Sequence, residues 1–377
     1  PRLRRGYSVD TSRRLVVVRP QRPGRGDGAT STWIFRGDKS HASGTTYNAN
    51  DNRGSVTVYE FDTTWQKMMV IYGESAGDSI GYGQSVVLSS DGRRLAVGSS
   101  KAGAGMVRVY QWIVRNSFWG SAWMQLGDDI LGEAGGGVFP AQSGYACSMN
   151  DDGSIVAIGA PYNSGAGNFA GHARVLTYKA PSPGNDPTGW DPEQITGGDW
   201  IQLGSDVDPA SAGQLFGSAV SLDGSGKRLA VCAPYNNDAG AGAGTVKVFD
   251  YSSATGWVQI GQDVDGVQPG DYSGRALSLS KDGSRLVIKS NGAGPNSDPR
   301  TTGRARAFEL VGSTFGSTWI RIGNSFDDEY SGTGGAAVAV NADGTKVVVG
   351  ADAAVEAASP DGAAPGRVRV YDLTTTC

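Results

Sequence analysis

The stretch GYGQSVVLSSDGRRLAVGSSKAGAGMVRVYQW (81–112), followed by WMQLG (123–127), contains four short apolar runs separated by glycine-rich turns. Asp91-Gly92 lies between the first two runs and is a strong hairpin signal, because glycine accepts the positive φ of a tight turn. The second run is apolar on both alternating faces, which predicts a buried strand. The third run alternates polar and apolar residues, so one of its faces is in water. The stretch therefore predicts a four-stranded antiparallel sheet.

The same four-part pattern recurs along the whole chain of 377 residues. Successive copies start roughly 60 to 80 residues apart, and repeats of about four strands each are typical of β-propeller blades with long loops. The positions that align the copies are Leu15, Leu95, Val156, Leu229, Leu286 and Val347. The sequence therefore predicts an all-β fold, a single β-propeller domain over 1–377 with six pseudo-symmetric, four-stranded blades.

The predicted blades span about 6–80, 81–140, 141–214, 215–271, 272–331 and 332–377. The last is incomplete, because the chain stops at Cys377 where an outer strand would begin. Either a short N-terminal strand closes the ring, or the outer strand is absent, or the polypeptide continues, which we favour. A seventh blade outside this sequence is the alternative to six. Residues 19–53 are predicted to be an inserted loop of the first blade, with a candidate extra strand at 32–36.

Composition narrows the classes of partner. The 58 glycines cluster in turns between apolar runs, and the net charge of −4 gives no strong attraction to nucleic acid or to an anionic membrane. No apolar run approaches the roughly 18 residues of a membrane span. We therefore expect neither a nucleic-acid partner nor a membrane-spanning segment.

The segment FGSAVSLDGSGKRLAVCAPYNNDAGAGAGTVKVFDY (216–251) resembles the FG-GAP class of propeller repeat, best known from integrin α-subunit heads. Phe216-Gly217 matches its opening, and Gly159-Ala160-Pro161 and Cys232-Ala233-Pro234 match its close or its variant. The later Gly-x-Val-x-Val-Tyr and Trp-x-x-Leu-Gly runs are more similar to the calcium-poor variant of extracellular proteins. The resemblance covers nearly the whole chain and implies a fold rather than an activity.

Calcium-binding FG-GAP repeats carry an Asp-x-Asp/Asn-x-Asp-Gly loop, which is reduced here to a turn with one carboxylate. Since Ca²⁺ takes six to eight oxygen ligands, we expect no cofactor. The alternative is calcium between blades, bound by acidic residues that follow the fourth strands. We favour a structural role in which these carboxylates accept backbone N–H groups. The candidates are Asp128, Asp129, Asp206, Asp208, Asp263, Asp265, Asp327 and Asp328.

The chain offers no recognisable catalytic set. Its two histidines, His41 and His172, form no His-x-x-x-His motif and no Ser/His/Asp set. A tryptophan opens most of the fourth runs, as a sugar platform or, as we favour, in packing between blades; these are Trp123, Trp200, Trp257 and Trp319. We therefore expect a protein that is not an enzyme.

Two adhesion-type tripeptides lie in the predicted insertion. They are Arg25, Gly26 and Asp27, and Arg36, Gly37 and Asp38. One interpretation is integrin-type adhesion, and the other, which we favour, is enrichment of the segment in these residue types. Cys377 is the candidate for an inter-chain disulfide, whereas Cys147 and Cys232 fall within predicted strands and are expected to be buried.

Together these features predict a non-catalytic scaffold or adhesion domain, extracellular or at the cell surface. Its partners are other protein chains or copies of itself in an extracellular assembly. The alternative is a carbohydrate-binding or carbohydrate-active propeller that uses the loops of one face to hold glycans.

Overall fold

The computed structural model describes most of the chain. The described residues are 13–18, 32–38, 54–61, 64–75, 78–81, 85–101, 103–114, 121–133, 137, 139–181, 197–291, 303–312, 316–327, 337–351 and 367–373. Within the described part no helix has the length and apolar character needed to cross a membrane.

The elements of the described residues are strands arranged in six antiparallel sheets. The first sheet comprises β1 (Arg13–Val18), β2 (Thr32–Asp38), β3 (Ser55–Phe61) and β4 (Trp65–Tyr72). The second comprises β5 (Val86–Leu88), β6 (Arg94–Ser99), β7 (Met106–Val114) and β8 (Ser121–Gln125), with β9 (Ile130–Leu131) paired to β7. The third comprises β10 (Ala146–Met149), β11 (Ile155–Ala160), β12 (His172–Lys179) and β13 (Asp199–Gln202).

The fourth sheet comprises β14 (Val220–Leu222), β15 (Arg228–Ala233), β16 (Thr245–Ser252) and β17 (Gly256–Gln259), with β18 (Val264–Asp265) paired to β16. The fifth comprises β19 (Ala276–Leu279), β20 (Arg285–Ser290), β21 (Arg304–Val311) and β22 (Thr318–Asp327). The sixth comprises β23 (Ala337–Val340), β24 (Lys346–Ala351) and β25 (Arg367–Asp372).

Tight turns join the first two strands of sheets two to six, as predicted. The turn glycines Gly92 and Gly153 both have a φ of +70°, which L side chains rarely adopt. Asp91 Oδ1 accepts the backbone N–H of Arg93 at 2.9 Å, so this carboxylate stabilises its own turn. The turns also bond to one another across sheets: Ser90 N donates to Asp151 O at 2.8 Å, and the pattern continues to the sixth sheet.

Consecutive sheets pack through their inner strands, β1 on β5, β5 on β10, β10 on β14, β14 on β19 and β19 on β23. The second strand of sheets two to five is buried over its last five residues, which confirms the prediction of a strand covered on both faces. The core consists of apolar clusters that lie between neighbouring sheets. Successive four-stranded sheets with interfacial cores define a β-propeller, which confirms the predicted fold class.

Five sheets contain at least four strands, and the sixth contains three among the residues described. Four-stranded blades are therefore confirmed for five sheets. The count of six or seven blades in a closed ring stays a prediction.

The first sheet differs from the predicted strand order. Leu15 aligns with Leu95, which lies in the second strand of the second sheet, so the run that contains Leu15 is predicted to be a second strand; in the structure β1 (Arg13–Val18) is the first strand. The second strand is β2 (Thr32–Asp38), which lies inside the predicted insertion and pairs with β1 and β3. The candidate strand at 32–36 is therefore confirmed, as a member of the blade's own sheet. A glycine-rich segment between two β-type runs resembles an insertion in the sequence, and only strand pairing shows that the second run belongs to the sheet.

The tryptophan that opens most outer strands packs between blades, as expected. Trp200 Nε1 donates to Leu126 O of the preceding sheet at 2.8 Å, and Trp257 Nε1 donates to Leu203 O at 2.8 Å. A Cβ on Gly127, which is in the left-handed region at φ +71°, would lie 3.0 Å from Trp200 Cδ1. In the third and fourth sheets, the outer-strand tryptophan therefore hydrogen-bonds to the leucine of the Leu-Gly pair that follows the preceding outer strand.

Candidate functional site

Polar side chains gather where the chain leaves an outer strand and passes beside the start of a third strand. In the second sheet, β9 pairs with the first residues of β7, which brings Asp129 to Arg108. Arg108 Nε and Nη2 donate to the two oxygens of Asp129 at 2.8 and 2.7 Å, and Gln125 Nε2 donates to Asp129 Oδ1 at 2.8 Å. Arg108 also pairs with Glu74 from the preceding connection. The hydrogen bond from Arg108 holds the pKa of Asp129 below its usual range.

The fourth sheet repeats this arrangement. Lys247 Nζ lies 2.9 Å from Asp263 Oδ2, and Gln259 Nε2 donates to Asp263 Oδ1 at 2.7 Å. A cation of the third strand, a glutamine of the outer strand and an aspartate four residues later therefore form one recurrent unit. This unit ties the end of the outer strand to the third strand of the same sheet.

The third sheet keeps the glutamine and the aspartate but changes the cation. Gln202 Nε2 donates to Asp206 Oδ1 at 2.6 Å. Arg174, the counterpart of Arg108, instead donates to Leu131 O at 2.7 Å. His172 takes its place: Nδ1 lies 3.5 Å from Asp206 Oδ2.

Glu133 completes this cluster from the connection that follows the second sheet. Its Oε1 lies 3.5 Å from Arg174 Nη1, and its Oε2 lies 3.9 Å from His172 Nδ1. One ligand atom from each of Glu133, His172 and Asp206 can be chosen so that all lie within 4.8 Å of one another. This is the group with metal-ligand geometry within the described residues.

Burial shapes the titration of this cluster. Burial lowers the pKa of His172 below its ordinary value, with Asp206 acting in the opposite direction. Burial, followed by the neighbouring charge of Asp206, raises the pKa of the Asp208 carboxyl. The imidazole is therefore neutral near pH 7, which is the form in which histidine binds metal ions.

The predicted acidic candidates thus have different surroundings. The expected partners are backbone N–H groups, but Asp129, Asp206 and Asp263 accept hydrogen bonds from side chains. Asp265 lies in β18, and its Oδ1 is buried without a hydrogen-bond partner. The remaining acidic candidates are not part of the polar clusters described above. Asp128 follows β8, Asp327 ends β22 and Asp328 lies outside the described residues.

One of the two adhesion-type tripeptides lies within the described residues, and its placement differs from expectation. Arg36, Gly37 and Asp38 end β2, where each residue has a cross-strand partner in both β1 and β3. This tripeptide is therefore part of an internal strand rather than of a loop. Arg25, Gly26 and Asp27 lie outside the described residues, so their adhesive role stays a prediction.

The cysteines agree with the sequence where the structure describes them. Cys147 and Cys232 are buried free thiols, and burial raises the pKa of each to about 12. Such thiols are unreactive at neutral pH and act as small apolar side chains. Cys377 lies outside the described residues, and its disulfide stays a prediction.

Sequence reasoning missed Glu133 and His172 as site residues. An alignment of the repeats could have singled out His172. His172 occupies the position of Met106 and Thr245 at the start of the third strand, so the third unit alone places an imidazole there. A single histidine whose carboxylate neighbours are distant in the sequence forms no histidine pair or triad motif.

No protein-family model matches the chain, and no curated protein matches its sequence. Among solved structures, the chain is similar to Chaetomium thermophilum Sqt1, with 13% identity, a TM-score of 0.47 and coverage of 91% of this chain and 67% of that chain. It is similar to Kluyveromyces lactis Hsv2p, with 13% identity, a TM-score of 0.43 and coverage of 97% and 96%. It is also similar to Kuenenia stuttgartiensis hydrazine synthase, with 12% identity, a TM-score of 0.45 and coverage of 85% and 70%. The fold assignment rests on the sheets of this chain, and none of these similarities assigns an activity.

Proposed function

We propose that this chain is a non-catalytic scaffold domain that assembles edge to edge with further copies of itself. The proposal rests on one position of the third strands, which is buried in the second, third and fourth sheets and exposed in the sixth. Val109, Val175 and Val248 are fully buried against the following sheet, whereas their counterpart Val370 in the sixth sheet is 60% exposed. Its cross-strand neighbour Val348 is half-buried, although the counterparts of Val348 in sheets two to five are fully buried. The outward face of the sixth sheet therefore has the apolar residues that pack against a neighbouring sheet in the other blades, but here these residues are exposed to water.

The first sheet of a second copy fits this surface. In the interior of the chain each sheet presents its outer-strand tryptophan to the preceding sheet, and Trp123 and Trp319 are 8% and 3% exposed. Their counterpart in the first sheet, Trp65, is 43% exposed. Among the described residues, the first and sixth sheets thus present the two halves of an interface that the sheets between them already form. A head-to-tail contact of this kind is heterologous and propagates or closes into a ring.

The proposal includes the FG-GAP type of propeller repeat and an extracellular location. The FG-GAP assignment is supported by Phe216, which is fully buried ahead of β14, and by the Cys232-Ala233-Pro234 close at the end of β15. An extracellular or cell-surface location follows from that resemblance. The Arg25–Asp27 tripeptide and Cys377 are further candidate contacts in this proposal. The carbohydrate alternative has less support, because the repeated tryptophans pack between sheets.

The test is the mass of the full chain in solution, measured by sedimentation equilibrium over a wide range of concentrations. We expect the mass to rise with concentration for the wild type and to stay monomeric for Val370→Asp. The matched control is Val258→Asp, which changes a valine that is 49% exposed on the outer strand of the fourth sheet. This control should assemble as the wild type does. A monomer at every concentration, or equal assembly of V370D and wild type, would refute the proposal, and glycan-array binding by the monomer would favour the alternative.

A further inference from the structure

We propose that Glu133, His172 and Asp206 bind one divalent transition-metal ion, represented here by Zn²⁺, that links the second and third sheets. The proposal rests on the geometry of these three side chains and on a comparison of the repeats. It is independent of the assembly proposed above.

The distances suit ligands of one ion better than hydrogen-bond partners. His172 Nδ1 lies 3.5 Å from Asp206 Oδ2 and 3.9 Å from Glu133 Oε2. Hydrogen bonds of this type are usually about 2.7–3.2 Å long. Two ligand atoms that each lie about 2.1 Å from a single ion are themselves roughly 3 to 3.5 Å apart. A small contraction of the cluster would therefore bring all three atoms onto one ion.

The carboxylates are oriented by groups outside the cluster. Gln202 donates to Asp206 Oδ1 at 2.6 Å and leaves Oδ2 facing the imidazole. Arg174 Nη1 lies 3.5 Å from Glu133 Oε1, a longer charge contact, and Oε2 is the oxygen of Glu133 that lies nearer the ring. Such outer contacts are typical of metal ligands, because they fix the oxygen that faces the ion.

The state of His172 is the second observation. Its side chain is only 2% exposed, and its Nε2 is buried without a hydrogen-bond partner. Its Nδ1 is aimed at two carboxylate oxygens from beyond the usual hydrogen-bond range. The nitrogen that faces the carboxylates, and that an ion would bind, is therefore Nδ1, while Nε2 would carry the ring proton.

The second and fourth sheets contain a side-chain cation beside the aspartate of the recurrent unit, and the third sheet does not. Asp129 and Asp263 are paired with Arg108 and Lys247, at 2.7 and 2.9 Å. In the third sheet the corresponding arginine bonds to Leu131 O instead, and Asp206 faces an imidazole. A bound cation would supply the positive charge that the other two units obtain from a side chain.

The donor set selects the class of ion. One imidazole nitrogen with two carboxylate oxygens suits zinc and related first-row ions, whereas Ca²⁺ takes six to eight oxygens. Asp206 and Glu133 are 25% and 44% exposed, so an ion can enter from solvent and water can complete its coordination. The proposal therefore replaces calcium at Asp206 and Asp208 with a transition-metal ion that includes His172.

The test uses the full chain after treatment with EDTA and its removal, titrated with ZnCl₂ by calorimetry. We expect one equivalent to bind and the thermal midpoint to rise with added zinc. His172→Gln and Asp206→Asn should each weaken binding at least tenfold. The matched control is Asp263→Asn, the counterpart of D206N that faces Lys247, which should bind zinc as the wild type does.

Glu133→Gln provides a variant at an exposed position if H172Q fails to fold, as judged by circular dichroism. We expect E133Q to fold normally and to weaken zinc binding. Cobalt(II) should give visible absorption bands in the wild type that are reduced in E133Q. Absence of zinc binding by the wild type, equal binding by folded H172Q or E133Q, or tighter binding of Ca²⁺ than of Zn²⁺ would overturn the proposal.

Discussion

The third strands of the interior sheets and the third strand of the sixth sheet share one sequence pattern and differ in their surroundings. Val248 of β16 is fully buried against the fifth sheet, while Val370 of β25, in VRVYDL, is 60% exposed. The difference lies in the neighbour, since the fifth sheet covers the fourth. A valine at the same position of the third strand is therefore a core residue in one blade and a surface residue in another. Substitutions at these equivalent positions should therefore lower the free energy of unfolding by very different amounts.

The largest effect is expected for a charge placed in the interior interface. Val248→Asp should destabilise the fold by more than about 4 kcal/mol, because a carboxylate would be buried without a partner. Val370→Asp should change the free energy of unfolding by less than about 0.5 kcal/mol, as exposed substitutions usually do. Urea denaturation of the two variants measures this, and similar losses for both would mean that the sixth sheet is covered.

A smaller loss is expected where the sheets approach most closely. A Cβ on Gly159 would lie 1.9 Å from Gly217 O of the fourth sheet, so the two sheets must separate in Gly159→Ala. We expect a loss of about 2–3 kcal/mol, as for other overpacked interfaces. The control is Gly316→Ala, where no atom lies within 4 Å of the added Cβ. Unchanged stability of G159A would show that the interior interfaces are loosely packed.

The interlocking tryptophan should contribute less. Trp200→Phe removes the hydrogen bond to Leu126 O and part of the contact with Tyr178, whose ring centroid lies 5.3 Å away. We expect a loss of about 1–2 kcal/mol in thermal or urea unfolding. Trp65→Phe, at the half-exposed counterpart in the first sheet, should cost less. Equal losses at the two positions would contradict the distinction between interior and terminal sheets.

The smallest effect concerns the ion pairs. Because the pKa of Asp129 is held below its usual value, its pairing with Arg108 stabilises the fold above about pH 4 and is lost as the pH falls further. Asp129→Asn should therefore cost up to about 1 kcal/mol at pH 7, allowing for partial exposure of the pair, and progressively less towards pH 2.

The matched control for this pair is Asp372→Asn in the sixth sheet. It removes the exposed partner of Lys346, 2.9 Å away, and should leave stability unchanged at both pH values. A D129N cost that does not shrink on acidification would contradict the assignment to the ion pair.

Much of the fold was predictable because its signals are local. Asp91-Gly92 predicted a hairpin and forms one, since the positive φ of the turn selects glycine whatever surrounds it. The first sheet was mispredicted because a second strand and an insertion with similar residues have the same local pattern. Glu133, His172 and Asp206 were not predicted as a group, because residues 39 and 34 positions apart meet only when β12 and the connections beside it are packed.

The sequence by itself determined the strands, their turns and the repetition of four-stranded units, because hydrophobic periodicity and turn chemistry act over a few residues. It also determined four positions of the outer-strand tryptophan, whereas the fifth, Trp65, is recognised only from strand pairing. Only the tertiary structure decided which cation meets Asp129 or Asp263, that Asp206 faces a buried imidazole, and that Val370 is reached by water. These properties depend on which sheet lies beside which, and contacts between sheets join residues that the local sequence leaves far apart.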